Sequence, residues 1–173
     1  MANWIAQRNE LLGKAVIANL AKRNMEGYYC ATKEEALQKA LELIPETDVV
    51  TWGGSVSIDE IGLLAAVKER NPVIDRDTAA TMEEKVEMMR KGLTCDTFLM
   101  STNAMSEDGI LVNIDGNGNR VASLIFGPKQ VVIIAGVNKI AKDLDSAIAR
   151  VRSNAAPINA QRFAGISTPC AKT

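Results

Sequence analysis

Hydrophobic residues recur along this chain in two rhythms. Over residues 2–24 they fall at Trp4, Ile5, Leu11, Leu12, Ala15, Val16, Ile17, Ala18 and Leu20, the spacing of a helix face. Thr32 followed by Glu35 is a capping-box signature that opens a second helix through Leu43, where Pro45 stops it. Between the two, residues 28–31 predict a short strand. Residues 48–52 (DVVTW) predict a buried strand that runs into Gly53-Gly54. Ser57 and Glu60 repeat the capping box and open a helix to about Arg70, which Asn71-Pro72 breaks. Val73-Ile74 then make a short strand, residues 78–91 a Met-rich amphipathic helix closed by Gly92, and residues 95–100 another strand.

From Met100 the rhythm changes. A polar loop, 101–108, precedes three apolar runs of five or six residues, 110–114, 121–126 and 131–135. Runs of that length divided by turn residues predict consecutive strands, with the insert DGNGN (115–119) as a hairpin tip whose glycines take positive φ. Residues 136–139 are a turn, residues 140–151 carry a helical stripe, 157–163 predict a last helix, and residues 165–173 a flexible tail. Strands alternating with helices imply a three-layer α/β/α fold on a mostly parallel sheet, to which the meander adds an antiparallel hairpin. At 173 residues the chain is expected to form a single domain, residues 1–173, large enough to bury about 70% of its unfolded surface.

Composition narrows the chemistry. Net charge is −1, so no overall field recruits nucleic acid or an anionic membrane. No apolar run reaches the roughly 20 residues that span a bilayer, and the charged N-terminal stretch reads as a helix rather than a signal peptide. Cys30, Cys95 and Cys170 are odd in number and far apart, which points to a reducing, cytoplasmic setting and gives no iron–sulfur or zinc spacing. Cys95 reads as core. There is no histidine, so Ser-His-Asp, Cys-His and His-ligated zinc mechanisms are excluded.

Two loops remain as candidates. In the first, Gly53 and Gly54 follow a strand and permit close approach, while Ser55 and Ser57 add hydroxyls at a helix start, an arrangement suited to an anion. The bland alternative, a tight turn with a helix cap, carries equal weight. The second loop gathers Glu107 and Asp108 with Ser101, Thr102, Asn103 and Ser106. Glu107 is the candidate nucleophile or base, with Asn103 as an oxyanion donor. Asn113, Asp115, Asn117, Asn119 and Arg120 carry polar groups on through the apolar runs. Arg120 and Lys129 are the cations nearest in sequence, either ligand contacts or exposed hairpin charges.

The runs WGGSVSIDEIG and MSTNAMSEDGILVNIDGNGNRVASLIFGPK, the AGVNKI turn and the late AAPINAQR and STPC segments resemble the LUD-domain family, which includes the lactate utilization proteins. The resemblance covers roughly residues 10–170. It implies a fold similar to the CoA-transferase and ribose-phosphate-isomerase group, and a role in lactate or organic-acid metabolism. Its reaction and cofactor are left open. CoA transferases of that group use a glutamate in a Ser-Glu-Asn-Gly motif as nucleophile, and Ser106-Glu107-Asp108-Gly109 looks similar with Asp in place of Asn. Relatives with this pattern often continue past STPC into a short cysteine-rich tail, and this sequence stops at Thr173, so no metal role is assigned to Cys170. Two readings follow. One is a site for a small anionic ligand (an organic acid, a phosphate, or a CoA or nucleotide compound) at Gly53 and the 101–108 loop. The other is a non-catalytic subunit docking on an iron–sulfur oxidoreductase partner, or on its own copy as a homo-oligomer, through the helix at residues 1–24.

Overall fold

Alternate residues of three short parallel strands face opposite ways, and two sets of helices cover the two faces. A computed structural model of the chain describes residues 3–162. The chain forms two compact units. One comprises Cys30–Ser101 and Asp115–Ala135; the described part of the other comprises residues 3–29, 102–114 and 136–162.

The first unit holds the parallel sheet. Its strands are β1 (Val50–Trp52), β2 (Thr97–Met100) and β5 (Gln130–Ile133), in the spatial order β1-β2-β5. Trp52, Leu99 and Val132 pair in one row and Thr51, Phe98 and Val131 in the next, so neighbouring rows face opposite sides. On one face Val50, Trp52, Leu99 and Val132 pack with Ala40 and Ile44 and with Ile58, Leu63 and Val67. These come from the end of α2 (Lys33–Leu43), from α3 (Val56–Glu60) and from α4 (Leu63–Arg70). On the other face Phe98 and Met100 pack with Cys95 and with Leu124 of α6 (Asn119–Ile125). The unit is therefore mixed α/β, with a three-stranded parallel sheet and helices on either side.

Val73 forms a single parallel bridge to Val50, outside β1. Val50 N–H donates to Pro72 and Ile74 N–H to Val50, both at 2.9 Å, and the Thr51 hydroxyl donates to the Ile74 carbonyl at 2.7 Å. In chain order the segments thus lie 2-1-3-4 across the sheet, with successive connections departing in opposite directions at the β1–β2 boundary. In open α/β sheets such a switch point opens a crevice at the carboxyl ends of the strands.

The second unit has a smaller sheet, in the order β4-β3-β6. β3 (Ala104–Ser106) runs antiparallel to β4 (Leu111–Val112) and parallel to β6 (Ile140–Ala141). Ala147 of α7 (Leu144–Arg150) and Val151 pack on Ala104. A π-turn (Val151–Ala155) leads into α8 (Ala156–Ala160). α1 (Trp4–Ala21) buries Gly13 and Val16, while Trp4, Ile5 and Leu11 stand at least 70% exposed. No helix among the described residues is long and apolar enough to cross a membrane.

Several expected elements are replaced. The antiparallel hairpin exists, but as β3–β4, inside and beyond the stretch read as the 101–108 loop. The run 121–126 is the helix α6, not a strand: Asp115 accepts the Val121 N–H at 2.8 Å, and Gly118, at φ 77°, turns the chain into the helix. Residues 28–31 form no strand. The second capping box is displaced, because Ser55 accepts the Ile58 N–H as the N-cap of α3 and Gly62, at φ 78°, separates α3 from α4. The Met-rich helix, α5 (Met82–Lys91), starts four residues late, capped by Thr81, and buries no residue. The stripe at 140–151 begins as β6 before Asp143 caps α7. Phe163, Cys170 and the tail lie outside the described residues.

Cys95 is buried, as its place at the head of β2 predicts. Burial, then the charge of Asp96, pushes its thiol from 9.0 up to about 11. Its stabilising contribution is complete below pH 9. It is lost as pH rises towards 11, because the unfolded chain releases that proton first. In urea unfolding, the wild type is expected to lose about 2 kcal/mol more than Cys95→Ala between pH 8 and pH 11. Parallel pH profiles would show that the folded chain ionises this thiol freely.

Candidate functional site

The carboxyl edge of the parallel sheet collects Gly53, Gly54 and Ser55 after β1 and Ser101 after β2. Gly53 N–H donates to Leu99 at 2.9 Å, which extends the ladder past Trp52 and holds the glycine pair beside β2. Gly53 is buried under Arg120: a Cβ there would lie 3.0 Å from Arg120 Cδ. Arg120 is itself buried. Its Nε and Nη2 contact Asp115 Oδ1 at 2.8 and 2.7 Å, and its Nη1 donates to the Ser101 carbonyl at 2.9 Å. Asp115 thus caps α6 and fixes the arginine that closes over the strand ends. Ser55 is buried and its hydroxyl is occupied with Ile58; Ser57 lies inside α3, and Asn119 opens α6.

Sequence reasoning missed Arg76. It follows the Val73-Ile74 segment, whose carboxyl end lies at the same edge as Gly53. Its Nη2 lies 3.3 Å from where a Gly54 Cβ would be, and its buried Nε has no hydrogen-bond partner among the described residues. The readable signal was the strand order, because an arginine just past a parallel strand lies at the carboxyl edge with its neighbours. Asp77 beside it bonds Lys85 at 3.0 Å and the Trp52 indole N–H at 3.5 Å. Burial alone would raise the Asp77 carboxyl. The Lys85 hydrogen bond and the Arg76 and Lys85 charges outweigh it and hold the group below its ordinary value. Lys68 pairs with Asp75 at 2.6 Å and lies 5.1 Å from the centre of the Trp52 ring.

Lys129 is not at this edge. It pairs with Asp96 at 2.7 Å, before the first residue of β2, at the opposite end of the strand from Ser101. The Asp96 carboxyl lies below its ordinary value, through the Lys129 hydrogen bond and then the Val49 N–H. A surface hollow of about 460 Å³, over Leu37, Leu41 and Arg70, lies on the outer face of α2 and α4, away from the edge. Arg70 there is spent on the Leu41 and Ile44 carbonyls.

The remaining candidates belong to the second unit, where most of them build the hairpin. The Thr102 hydroxyl donates to the Ala104 carbonyl at 2.7 Å. The Asn103 side chain accepts the Ile114 N–H at 3.0 Å, and the Ser106 hydroxyl accepts that of Ile110 at 3.0 Å. Asn113 follows β4 and is half-buried. Glu107 and Asp108 form the turn between the strands. Glu107 pairs with Lys142 at 2.8 Å, and its carbonyl accepts from the Asn19 side chain at 2.9 Å. The hydrogen bond to Glu107, then its charge, raises Lys142. Asp108 pairs with Arg23 at 3.0 Å; the Ser106 hydroxyl, more than Arg23, holds its carboxyl down. Among the described residues, no group of three or more Cys, Asp or Glu gathers to hold a metal ion.

A family model described as the LUD domain matches residues 13–173, nearly the whole chain. The chain belongs to the LUD-domain family. No curated protein and no solved structure matches it. In this LUD domain the glycine pair with its two flanking arginines lies in one unit. The Ser106–Gly109 motif, with Glu107 in its ion pair, lies in the other.

Proposed function

We propose that this LUD-domain protein binds a small organic anion of lactate or organic-acid metabolism at Gly53-Gly54-Ser55. The observation that carries the reading is the 2-1-3-4 order of the parallel segments, which sets this loop at the switch point with an arginine against each glycine. A guanidinium is a donor that suits an anion in a half-dry crevice, and since the Gly53 N–H is taken by Leu99, the glycines contribute close approach rather than that donor. Arg120, already matched to Asp115, forms the wall; the glycine at position 54 leaves space in front of Arg76.

The test is thermal. A ligand that binds only the folded state raises its stability by about 2.7 kcal/mol at one hundred times Kd. Wild-type protein is expected to gain several degrees in Tm with saturating organic anion at fixed ionic strength. Gly54→Asp, which sets a carboxylate beside Arg76, is expected to keep its basal Tm within a few degrees and lose the increment. Equal increments in both proteins would remove the site from this loop.

A further inference from the structure

Helix α1 carries more apolar surface than its own unit covers. The residues from Trp4 to Arg8 are all exposed, although Asn3 caps the helix by accepting the Ala6 N–H at 3.1 Å. A helix is held mainly by packing of one face, and α1 packs at Gly13 and Val16 while a second side stays bare. Along that side Trp4, Arg8, Leu11, Ala15, Ala18 and Lys22 are all exposed, and they alternate in steps of four and three residues. That spacing is the a and d seam of a coiled coil, a face built to lie along another helix.

The seam also says which helix. Its first half is large (Trp4, Arg8, Leu11), and Ala15 and Ala18 make its second half small. A second copy turned end for end sets Leu11 against the partner's Ala15 and Arg8 against the partner's Ala18, so large side chains fill the space over small ones. The same register sets the Lys22 ammonium on the partner's Trp4 ring, a cation on the aromatic face that attracts it most. The flanks agree. Ile5 and Leu12 border the seam on one side, Gln7 and Lys14 on the other, where Lys14 pairs with Glu10 at 2.6 Å. Antiparallel pairing brings each flank against its own copy, apolar with apolar. Parallel pairing would set Leu12 against the partner's Lys14 and Arg8 against the partner's Arg8, in a seam that holds no acid.

The area is sufficient. Trp4 and Ile5 are each 74% exposed and Leu11 70%, and together they leave on the order of 400 Å² of each copy to be covered. With the rest of the seam, two copies cover about 1,200 Å², the lower end of specific interfaces.

We propose that α1 is a self-association surface through which two copies of this chain pair antiparallel, with the twofold axis level with Gly13. A face that matches itself about such an axis closes at two copies. The proposal is independent of the anion site.

Sedimentation of the full chain from about 1 to 100 μM tests it, with point variants rather than removal of α1. The wild type is expected to show a monomer–dimer equilibrium. Leu11→Arg, which places a further cation in the middle of the seam, is expected to weaken the dimer at least tenfold. Ala18→Glu, which places a carboxylate within reach of the partner's Arg8, is expected to tighten it severalfold, and adding Arg8→Gln is expected to remove that gain. All these changes lie at exposed helix positions and exchange one good helix former for another, so an unchanged Tm shows that each variant is folded. A wild type that stays monomeric throughout overturns the proposal and leaves the seam to a different chain. A dimer that Leu11→Arg leaves intact overturns it by placing the contact elsewhere. A dimer that Ala18→Glu weakens overturns the antiparallel register.

Discussion

Gly127→Ala is expected to destabilise the unit that holds the parallel sheet by about 4 kcal/mol or more, a large share of the stability of a domain this size. Gly127 follows α6 at φ 131°, a conformation that residues with a Cβ rarely adopt. A Cβ there would lie 2.3 Å from the Leu93 carbonyl oxygen, so conformational strain and a backbone overlap act together. Neither partner is a flexible side chain that can swing aside. Gly116→Ala is the matched control: a Cβ at Gly116 meets nothing within 4 Å, and its φ is not positive. That substitution is expected to change stability by less than about 1 kcal/mol. Guanidinium unfolding of the two variants decides the matter; similar midpoints would mean that the approach of Gly127 to Leu93 does not hold the fold.

The second large effect belongs to the buried pair at the sheet edge. Removing Asp115 strips Arg120 of its counter-charge and α6 of the carboxylate that accepts the Val121 N–H. A buried ion left without its partner costs about 3–5 kcal/mol, and the lost cap adds about 1 kcal/mol. Asp115→Ala and Arg120→Met are each expected to fall in that range. The double variant is expected to lose less than the sum by about 1–3 kcal/mol, because no charge is then stranded. The coupling is expected to persist in 0.5 M salt, since both side chains are close to nine-tenths buried and poorly screened. Additive losses in a double-mutant cycle would place the pair in solvent. Because Arg120 roofs Gly53, the same cycle measures how firmly the candidate site is closed.

Much of the first unit was legible because its signals are local. Thr32 caps α2 by accepting the Glu35 N–H at 3.2 Å, as the motif predicts, while the Glu35 carboxylate reaches one residue further back and accepts the Ala31 N–H at 2.7 Å; Asn71-Pro72 ends α4 at the expected residue. DVVTW and CDTFLM are strands because each apolar stretch is bounded by a turn signal and is too short for a helix. The run VASLIF fits either rhythm at six residues, and what decides it lies outside the run: Arg120 reaching back to Ser101, and Asp115 accepting the Val121 N–H. Ser55 and Ser57 both offer a hydroxyl three residues ahead of a plausible partner. The capping-box rule favoured Ser57, but Gly62 cut the helix and left the first hydroxyl as the cap. In the second loop, the density of polar groups was real, but Thr102, Asn103 and Ser106 use theirs to hold backbone N–H and C=O groups of a tight hairpin. Arg76 was invisible because Asp-Arg-Asp reads as an ordinary charged turn until the order of the strands is known.

The two units are interleaved along the chain, which passes from one to the other after Tyr29, Ser101, Ile114 and Ala135. Neither can be excised as a continuous fragment. Removing the N-terminal helix takes away Asn19 and Leu20, the floor on which the Gly109 turn rests, and so damages the hairpin rather than trimming an appendage. A single nick in the 102–114 segment leaves β2 and β5 on different polypeptides, held together only by non-covalent contacts: strand pairing, packing and bonds such as Arg120 to Ser101. Synthesis imposes the same constraint, because each unit waits for residues made after part of the other. Dissection of this protein therefore calls for circular permutants or split halves rather than end-on truncations.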